Sequence, residues 1–213
     1  MAYQVKEVYF TLQGEGLHAG RPAVFCRFAG CNLWNGREED RAAAVCTFCD
    51  TDFVGTNGTG GGTFRAPAEL ADRILSQWPE SSNSSRFVVF TGGEPLLQLD
   101  SELLAQLKQR GFQTAVETNG TQEAPPELDW ITVSPKAGAP LVLRKGSELK
   151  LVYPQQLDPA AFEELDFQYF YLSPLWAADK LETERNVAQA TNYCKLHPKW
   201  RLNLQRHKYW GIP

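Results

Sequence analysis

The chain has 213 residues, a formal net charge of −4 at pH 7 and an isoelectric point near 5.5. This length suits one domain, and the slightly acidic balance argues against a general polyanion binder such as a nucleic-acid coat. No apolar run approaches the roughly 18 residues that a membrane span needs, and the N-terminus lacks the pattern of a secretory signal. We therefore predict a protein of the reducing cytoplasm, with neither nucleic acid nor membrane as a partner.

Short apolar runs alternate with helical patterns along the chain. Residues 2–6 show strand-like alternation, and segments 55–62 and 81–85 have the glycine-rich or small polar composition of loops. Helices are predicted at residues 67–78, from 100 or 101 to 111, and 180–196. Further strands are predicted at residues 21–28, 86–91, 112–117, 130–133, 148–153, 167–172 and 200–205.

Strands that alternate with helices favour βα units and a parallel sheet, which is an α/β fold. Because predicted strands outnumber helices, we expect a partial, incomplete TIM-like barrel instead of a closed eightfold barrel. We expect residues 1–213 to form a single domain. In such folds the chemistry gathers where strands end at their carboxyl side.

Three cysteines have the spacing of a metal centre. Cys46 and Cys49 form a C-x2-C pair, and Cys31 lies fifteen residues before Cys46, just after a predicted strand. A C-x2-C turn lets two thiolates face one metal centre. Three thiolates suit a [4Fe–4S] cluster with one open iron, which can chelate an amine and a carboxylate.

A structural zinc site is the alternative for the same cysteines, with a fourth ligand supplied from elsewhere. The sequence has no second C-x2-C pair and no H-x3-H pair to complete such a site. The other two cysteines, Cys26 on a predicted strand and Cys194 on the last predicted helix, are expected to be core residues.

Polar motifs follow three consecutive predicted strands. Residues 91–95 (TGGEP) bring two glycines that let a ligand approach the backbone closely, and a carboxylate. Residues 117–120 (ETNG) and 134–136 (SPK) follow the next two strands. Each motif alone could be a simple turn. Together they place polar groups at the same end of neighbouring strands, which indicates a binding site.

With these motifs in place, the sequence resembles the radical S-adenosylmethionine superfamily and, more narrowly, the family of 7-carboxy-7-deazaguanine synthases. The resemblance rests on residues 11–16 (TLQGEG), 27–33 (RFAGCNL), 46–51 (CTFCDT), 91–95, 117–120, 134–136 and 204–209 (LQRHKY). The superfamily's usual cluster motif is C-x3-C-x2-C, whereas here residues 32–45 separate the first two cysteines. Such an insertion occurs in some members of this family. We expect it to form a helical excursion beside the cluster, with a solvated charged loop as the alternative.

The resemblance implies a reaction and its cofactors. The family converts 6-carboxy-5,6,7,8-tetrahydropterin into 7-carboxy-7-deazaguanine with loss of ammonia, a radical ring contraction in queuosine and 7-deazapurine biosynthesis. The implied cofactors are a [4Fe–4S] cluster, S-adenosylmethionine as the source of a 5′-deoxyadenosyl radical, and Mg²⁺. An electron donor such as flavodoxin and a homodimer are also implied. The alternatives are a radical activase of a partner enzyme and a non-enzymatic zinc-binding module.

The resemblance also implies residue roles. Cys31, Cys46 and Cys49 would bind the cluster, and Thr51 would bind Mg²⁺ with Asp50 beside it. The implied cofactor contacts are Phe48, Cys49, Asp50, Gly93, Glu94, Glu117, Ser134, Pro135, Lys136, Ser173, Pro174, Leu175 and Trp176. The implied substrate contacts are Leu12, Gln13, Gly14, Glu15, Arg27, Thr91 and Pro213.

Two of the implied substrate contacts have a stated chemistry. Glu15 could accept hydrogen bonds from the guanidine-like nitrogens of the pterin. The planar guanidinium of Arg27 suits a substrate carboxylate, with a surface ion pair as the alternative.

Overall fold

A single nine-stranded sheet forms the framework of the computed structural model, which describes residues 2–82 and 85–213. The strands are β1 (Tyr3–Leu12), β2 (Pro22–Phe28), β3 (Gly62–Phe64), β4 (Phe87–Gly92), β5 (Gln113–Thr118), β6 (Trp130–Val133), β7 (Lys145–Tyr153), β8 (Asp166–Pro174) and β9 (Trp200–Leu202). The helices are α1 (Pro67–Leu75), α2 (Ser101–Gln109), α3 (Lys180–Leu196) and α4 (Arg206–Trp210).

The sheet has the order β3-β1-β2-β4-β5-β6-β7-β8-β9. Strand β1 pairs antiparallel with both β2 and β3, and each neighbouring pair from β2 to β9 is parallel. Strands β3 and β9 are its two edges, so the sheet stays open. The predicted fold class, an incomplete α/β barrel with fewer helices than strands, is therefore confirmed.

The main core lies between the sheet and the helices that cover its outer face. Leucines on one face of α2 and apolar residues of α1 pack against the outward side chains of the central strands, with no exposed surface. Burying each such side chain contributes about 1.5–3 kcal/mol of transfer free energy. The completely buried members of this layer include Leu70, Ile74, Val88, Phe90, Leu103, Leu104, Leu107, Leu149 and Leu151.

The predicted element positions agree with the structure in most places. The side chain of Asp100 caps α2 by accepting a hydrogen bond from the Leu103 amide at 2.9 Å. Helix α1 ends at Leu75 instead of at residue 78, because the amides of Gln77 and Trp78 bond three residues back in a tightened last turn.

Two further segments differ from the expectation, and a third agrees with it. Gly62 belongs to β3 and not to a loop, and the strand predicted at 200–205 ends at Leu202. Residues 32–45 contain a 3-10 helix at Glu38–Ala43, which agrees with the expected helical excursion. Of the loop predicted at 81–85, Asn83 and Ser84 lie outside the described residues.

Cys26 is completely buried on β2, and Cys194 is half-buried against the core, so both are packing residues as predicted. Within the described part of the chain, no helix has the length and apolar character to cross a membrane.

Candidate active site

Two adjoining cavities open at the carboxyl ends of the parallel strands. The first, here called the cysteine cavity, has a volume of about 210 Å³ and Cys46 and Cys49 in its wall. The second, the arginine cavity, has a volume of about 370 Å³ and Arg27 in its wall. Six residues line both cavities: Glu15, Asp50, Thr51, Thr91, Glu117 and Gln205. A group bound in one cavity therefore lies next to a group bound in the other.

The three cysteines of the predicted cluster are neighbours in the fold. Cys31 follows β2 after Gly30, which has a φ of 87°, and Cys46 and Cys49 follow the 3-10 helix. Cys31 lies outside the walls of both cavities. All three thiols are free. Burial raises the pKa of the Cys31 and Cys46 thiols, and charge on the adjacent Cys49 raises both further.

This donor set fits a [4Fe–4S] cluster with one open iron. Across residues 2–82 and 85–213, no group of three or more Cys, His, Asp or Glu side chains is placed to hold a single metal ion. A cluster takes one thiolate per iron, so its ligands stand further apart than those around one zinc ion. The ammonium of Lys136 opposes the effect of burial on Cys46 by favouring the thiolate that a metal needs.

Arg41, within the insertion 32–45, braces residues 46–49, here called the cysteine loop. Its Nη1 donates to the carbonyl oxygen of Thr47 at 3.0 Å and to that of Cys49 at 2.9 Å. Its guanidinium also lies 4.1 Å from the centre of the Trp34 ring, which is itself buried. Arg41 therefore ties the insertion to the cysteine loop, whereas residues 37–40, which carry its other charges, are exposed. The alternative of a solvated charged loop describes that part of the insertion.

The glycines of the TGGEP motif bring the end of β4 into backbone contact with residues 28–31, at the end of β2 and just after it. Gly92 has a φ of 136°, and a Cβ there would lie 2.2 Å from the carbonyl oxygen of Phe28. A Cβ on Gly93 would lie 2.1 Å from the carbonyl oxygen of Gly30 and 2.7 Å from the Cβ of Cys31. Only glycine fits at these two positions without moving the neighbouring backbone.

The structure places Glu94 behind the cavities instead of in their walls. Its side chain is completely buried and accepts hydrogen bonds from Thr118 Oγ1 at 2.7 Å and from the amides of Asn119 and Leu96 at 2.8 and 3.0 Å. Pro135 is likewise buried and does not line either cavity. Glu94 therefore joins the loop after β4 to the loop after β5. A direct cofactor contact for Glu94 or Pro135 stays a prediction.

The other predicted cofactor contacts line the cysteine cavity. Lys136 donates to the carbonyl oxygen and to Oγ of Ser134 at 2.7 and 2.6 Å, and its Nζ lies 5.9 Å from the centre of the Phe48 ring. Burial lowers the pKa of Lys136. The cavity wall brings together Phe48, Cys49, Asp50, Gly93, Glu117, Ser134, Lys136, Ser173, Pro174, Leu175 and Trp176.

All seven predicted substrate contacts line the arginine cavity: Leu12, Gln13, Gly14, Glu15, Arg27, Thr91 and Pro213. The guanidinium of Arg27 donates to Glu7 Oε1 at 2.7 Å and to the Tyr9 hydroxyl at 3.2 Å. An oxygen of Pro213 accepts a hydrogen bond from Thr11 Oγ1 at 3.1 Å, so the end of the chain is held at the cavity.

Thr51 and Asp50 lie where the two cavities meet. Asp50 forms an ion pair with Lys208 of α4 at 2.8 Å. The hydroxyl of Thr51 is therefore the freer of the two oxygen donors for a cation at this junction.

Sequence reasoning missed several polar residues of the cavity walls. Lys150 on β7 forms ion pairs with Glu117 at 2.5 Å and with Glu15 at 2.8 Å. Gln205 and His207 also line the arginine cavity. A signal for Lys150 was present, since it stands between Leu149 and Leu151 in a strand and a lysine flanked in this way needs a buried partner.

Comparison with known proteins places the chain in a family. The sequence model of the radical SAM superfamily matches residues 41–148, which is about half of the chain. The 7-carboxy-7-deazaguanine synthase of Bradyrhizobium diazoefficiens is 60% identical over all of both chains, and that of Bordetella pertussis 59%. A crystal structure of QueE from Escherichia coli superposes with a TM-score of 0.71 at 27% identity, covering 97% of this chain and 95% of that one.

Members of the radical SAM superfamily use S-adenosylmethionine and a [4Fe–4S] cluster, which agrees with the three adjacent thiols and the neighbouring cavity. On this evidence, the chain belongs to the 7-carboxy-7-deazaguanine synthase family of the radical SAM superfamily.

Proposed function

We propose that this chain catalyses the ring contraction of 6-carboxy-5,6,7,8-tetrahydropterin to 7-carboxy-7-deazaguanine with loss of ammonia. The observation that carries the proposal is the pair of adjoining cavities with six shared lining residues, one with Cys46 and Cys49 in its wall and one with Arg27. This arrangement suits a cofactor and a small polar substrate that must meet at one point. Family membership supports the same reaction.

In this proposal Cys31, Cys46 and Cys49 hold the cluster, and the wall of the cysteine cavity holds S-adenosylmethionine. When bound, the cluster and S-adenosylmethionine supply a carbon-centred radical that removes hydrogen from the substrate. The protein positions the two molecules and excludes water. Gly93 permits close approach to the backbone, while Lys136 and Ser134 provide polar contacts.

The arginine cavity offers complementary charges for the substrate. Arg27 is half-buried and lies at the wall, where its planar guanidinium can pair with the substrate carboxylate. Glu15 and Gln13 lie on the same wall and can hydrogen-bond to the pterin ring. Thr91, in both walls, can contact the substrate next to the cofactor.

We further propose a Mg²⁺ ion at Thr51, with Asp50 in its outer shell. Support comes from their place at the junction of the cavities, where a substrate carboxylate could complete an oxygen-rich site. Turnover with and without EDTA tests this proposal, and undiminished turnover would refute it. Thr51→Ala should raise the Mg²⁺ concentration needed for half-maximal rate, whereas Thr56→Ala, in the same connecting segment but outside both cavity walls, should not.

Flavodoxin as electron donor, a homodimer, a cytoplasmic location and a single domain with an insertion at 32–45 belong to the same proposal. The single sheet that joins all nine strands of the described chain supports the single domain.

The reaction is tested by anaerobic cluster reconstitution, followed by iron and sulfide analysis and incubation with S-adenosylmethionine, dithionite and 6-carboxytetrahydropterin. Roughly four irons per chain and a new deazaguanine product are expected. If the protein binds iron and cleaves S-adenosylmethionine but forms no deazaguanine, the proposed reaction is wrong and the superfamily chemistry still holds. Zinc without iron would contradict both.

A further inference from the structure

The ammonium group of Lys150 joins two carboxylates that come from different parts of the chain. Its Nζ lies 2.5 Å from Oε2 of Glu117 on β5 and 2.8 Å from Oε2 of Glu15 in the loop between β1 and β2. All three side chains are largely buried, with exposed fractions of 9%, 22% and 14%. Lys150 therefore fixes the position of two acidic groups that no shared element would hold together.

The other partners of the two carboxylates are neutral amides. Oε1 of Glu117 accepts from Gln13 Nε2 at 2.9 Å, and Oε1 of Glu15 accepts from Gln205 Nε2 at 3.2 Å. Oε2 of Glu15 also accepts from Asn203 Nδ2 at 3.1 Å. Lys150 is thus the cation of this group, and the two carboxylates carry one more negative charge than it balances.

Glu15 and Glu117 both line both cavities, so their carboxylate groups lie within reach of a ligand bound there. Burial by itself would raise the pKa of Glu15, but the adjacent Lys150 ammonium lowers it to about 2. An ionised carboxylate can only accept hydrogen bonds, whereas a protonated carboxyl can also donate one. The charge on Lys150 therefore decides which ligand groups this wall can recognise.

We propose that Lys150 is a positioning residue that holds Glu15 and Glu117 as a pair of hydrogen-bond acceptors selecting the amino-pyrimidinone edge of a pterin. The inference rests on the proposed function and deepens it. A pterin offers adjacent N–H donors at this edge. The corresponding lumazine has an oxygen in place of the 2-amino group. Because this oxygen and the carboxylate oxygens are all hydrogen-bond acceptors, the lumazine should bind more weakly.

The experiment compares two ligands that the enzyme does not consume, 6-carboxypterin and 6-carboxylumazine. Their dissociation constants are measured by anaerobic equilibrium dialysis with the reconstituted enzyme and S-adenosylmethionine. The wild-type protein should bind the pterin at least about tenfold more tightly than the lumazine, because the lumazine leaves a buried acceptor unpaired. Equal affinity in the wild type would overturn the inference.

Lys150→Met should weaken pterin binding and bring the two affinities close together, because one carboxyl can then bind a proton and donate to the lumazine oxygen. If Lys150 had a purely structural role, its replacement would weaken the binding of both ligands by the same factor, and the ratio of the two dissociation constants would stay at the wild-type value. Lys150→Arg should restore the preference. Lys145→Met, at an exposed position of the same strand, should change neither affinity.

If Lys150→Met does not fold, the double variant Lys150→Met/Glu117→Gln replaces it, since it removes one charge of each sign. The preference for the pterin should again disappear, and a wild-type ratio in this variant would overturn the inference. Turnover of 6-carboxytetrahydropterin by the wild type is measured separately. Selective pterin binding without deazaguanine formation would remove the proposed reaction but leave the role of Lys150 intact.

Discussion

Gly93 packs directly against the carbonyl group of Gly30, so that a Cβ added to Gly93 would lie 2.1 Å from that oxygen. The amide of Glu94 donates to the same oxygen at 3.0 Å. The loop after β4 therefore packs against Gly30, the residue that precedes Cys31. The position of Cys31, one of the three predicted cluster ligands, and the shape of the cysteine cavity therefore depend on one contact between two glycines.

Gly93→Ala should separate these loops and lower both the iron content after reconstitution and the affinity for S-adenosylmethionine. Iron analysis and equilibrium dialysis measure the two effects. Gly55→Ala is the matched control: its φ of 73° imposes strain of about 1–2 kcal/mol, while the nearest atom to its Cβ is 3.5 Å away. A normal cofactor affinity in Gly93→Ala would show that the contact does not shape the cavity.

Glu94→Gln should reduce the free energy of unfolding by about 1–3 kcal/mol. The carboxylate accepts hydrogen bonds at both of its oxygens, and in the variant the NH2 group of the amide would face one or more of the same donors. Urea denaturation followed by circular dichroism measures this loss. The affinity for S-adenosylmethionine separates the two possible roles of Glu94. Unchanged stability with weaker cofactor binding would support the direct contact predicted from the sequence.

Arg41→Ala should make the cluster easier to remove, since the carbonyl groups of Thr47 and Cys49 would lose their donor. We expect iron loss to a chelator to be about tenfold faster than in the wild type, because the variant loses the two hydrogen bonds that the charged Arg41 side chain donates. Absorbance of the cluster during chelation gives the rate. Arg37→Ala, at an exposed position of the same insertion, should lose iron at the wild-type rate. Equal rates in both variants would contradict a bracing role.

Glu15 predicts a dependence of stability on pH. Its pKa in the folded protein is lowered from 4.5 to about 2 by Lys150, acting against burial. The resulting stabilisation is complete above pH 4.5 and is lost as the pH falls through the folded value near 2.

The measurement is the difference in unfolding free energy between the wild type and Glu15→Gln, both free of the cluster, in urea between pH 2 and pH 6. The difference should shrink towards acid. A difference that is independent of pH would show that Glu15 is not held in its ionised form.

Much of the site could be predicted from local patterns. The C-x2-C spacing, the paired glycines after a buried strand and the short apolar runs are properties of neighbouring residues. These patterns predict a site in any fold that brings the carboxyl ends of the strands together, and a parallel sheet does so. The seven substrate contacts implied by the resemblance all line one cavity, although they come from both ends of the chain.

The roles of individual charged residues could not be obtained in this way. Glu94 stands in a motif that suggests a ligand, yet the loop after β5 takes up both of its oxygens. Lys150 is 33 residues from Glu117 and lies in no recognised motif, yet the strand register brings the two together.

By itself, the sequence indicated the class of chemistry through its resemblance to a family, because the spacing of three cysteines and the motifs after neighbouring strands can be read without knowing the fold, although the cysteines alone left a zinc site open. Only the tertiary structure decided which acids face the cavity and which support it. The reason is that a buried charge is defined by its partner, and those partners come from strands and loops that are distant in the chain.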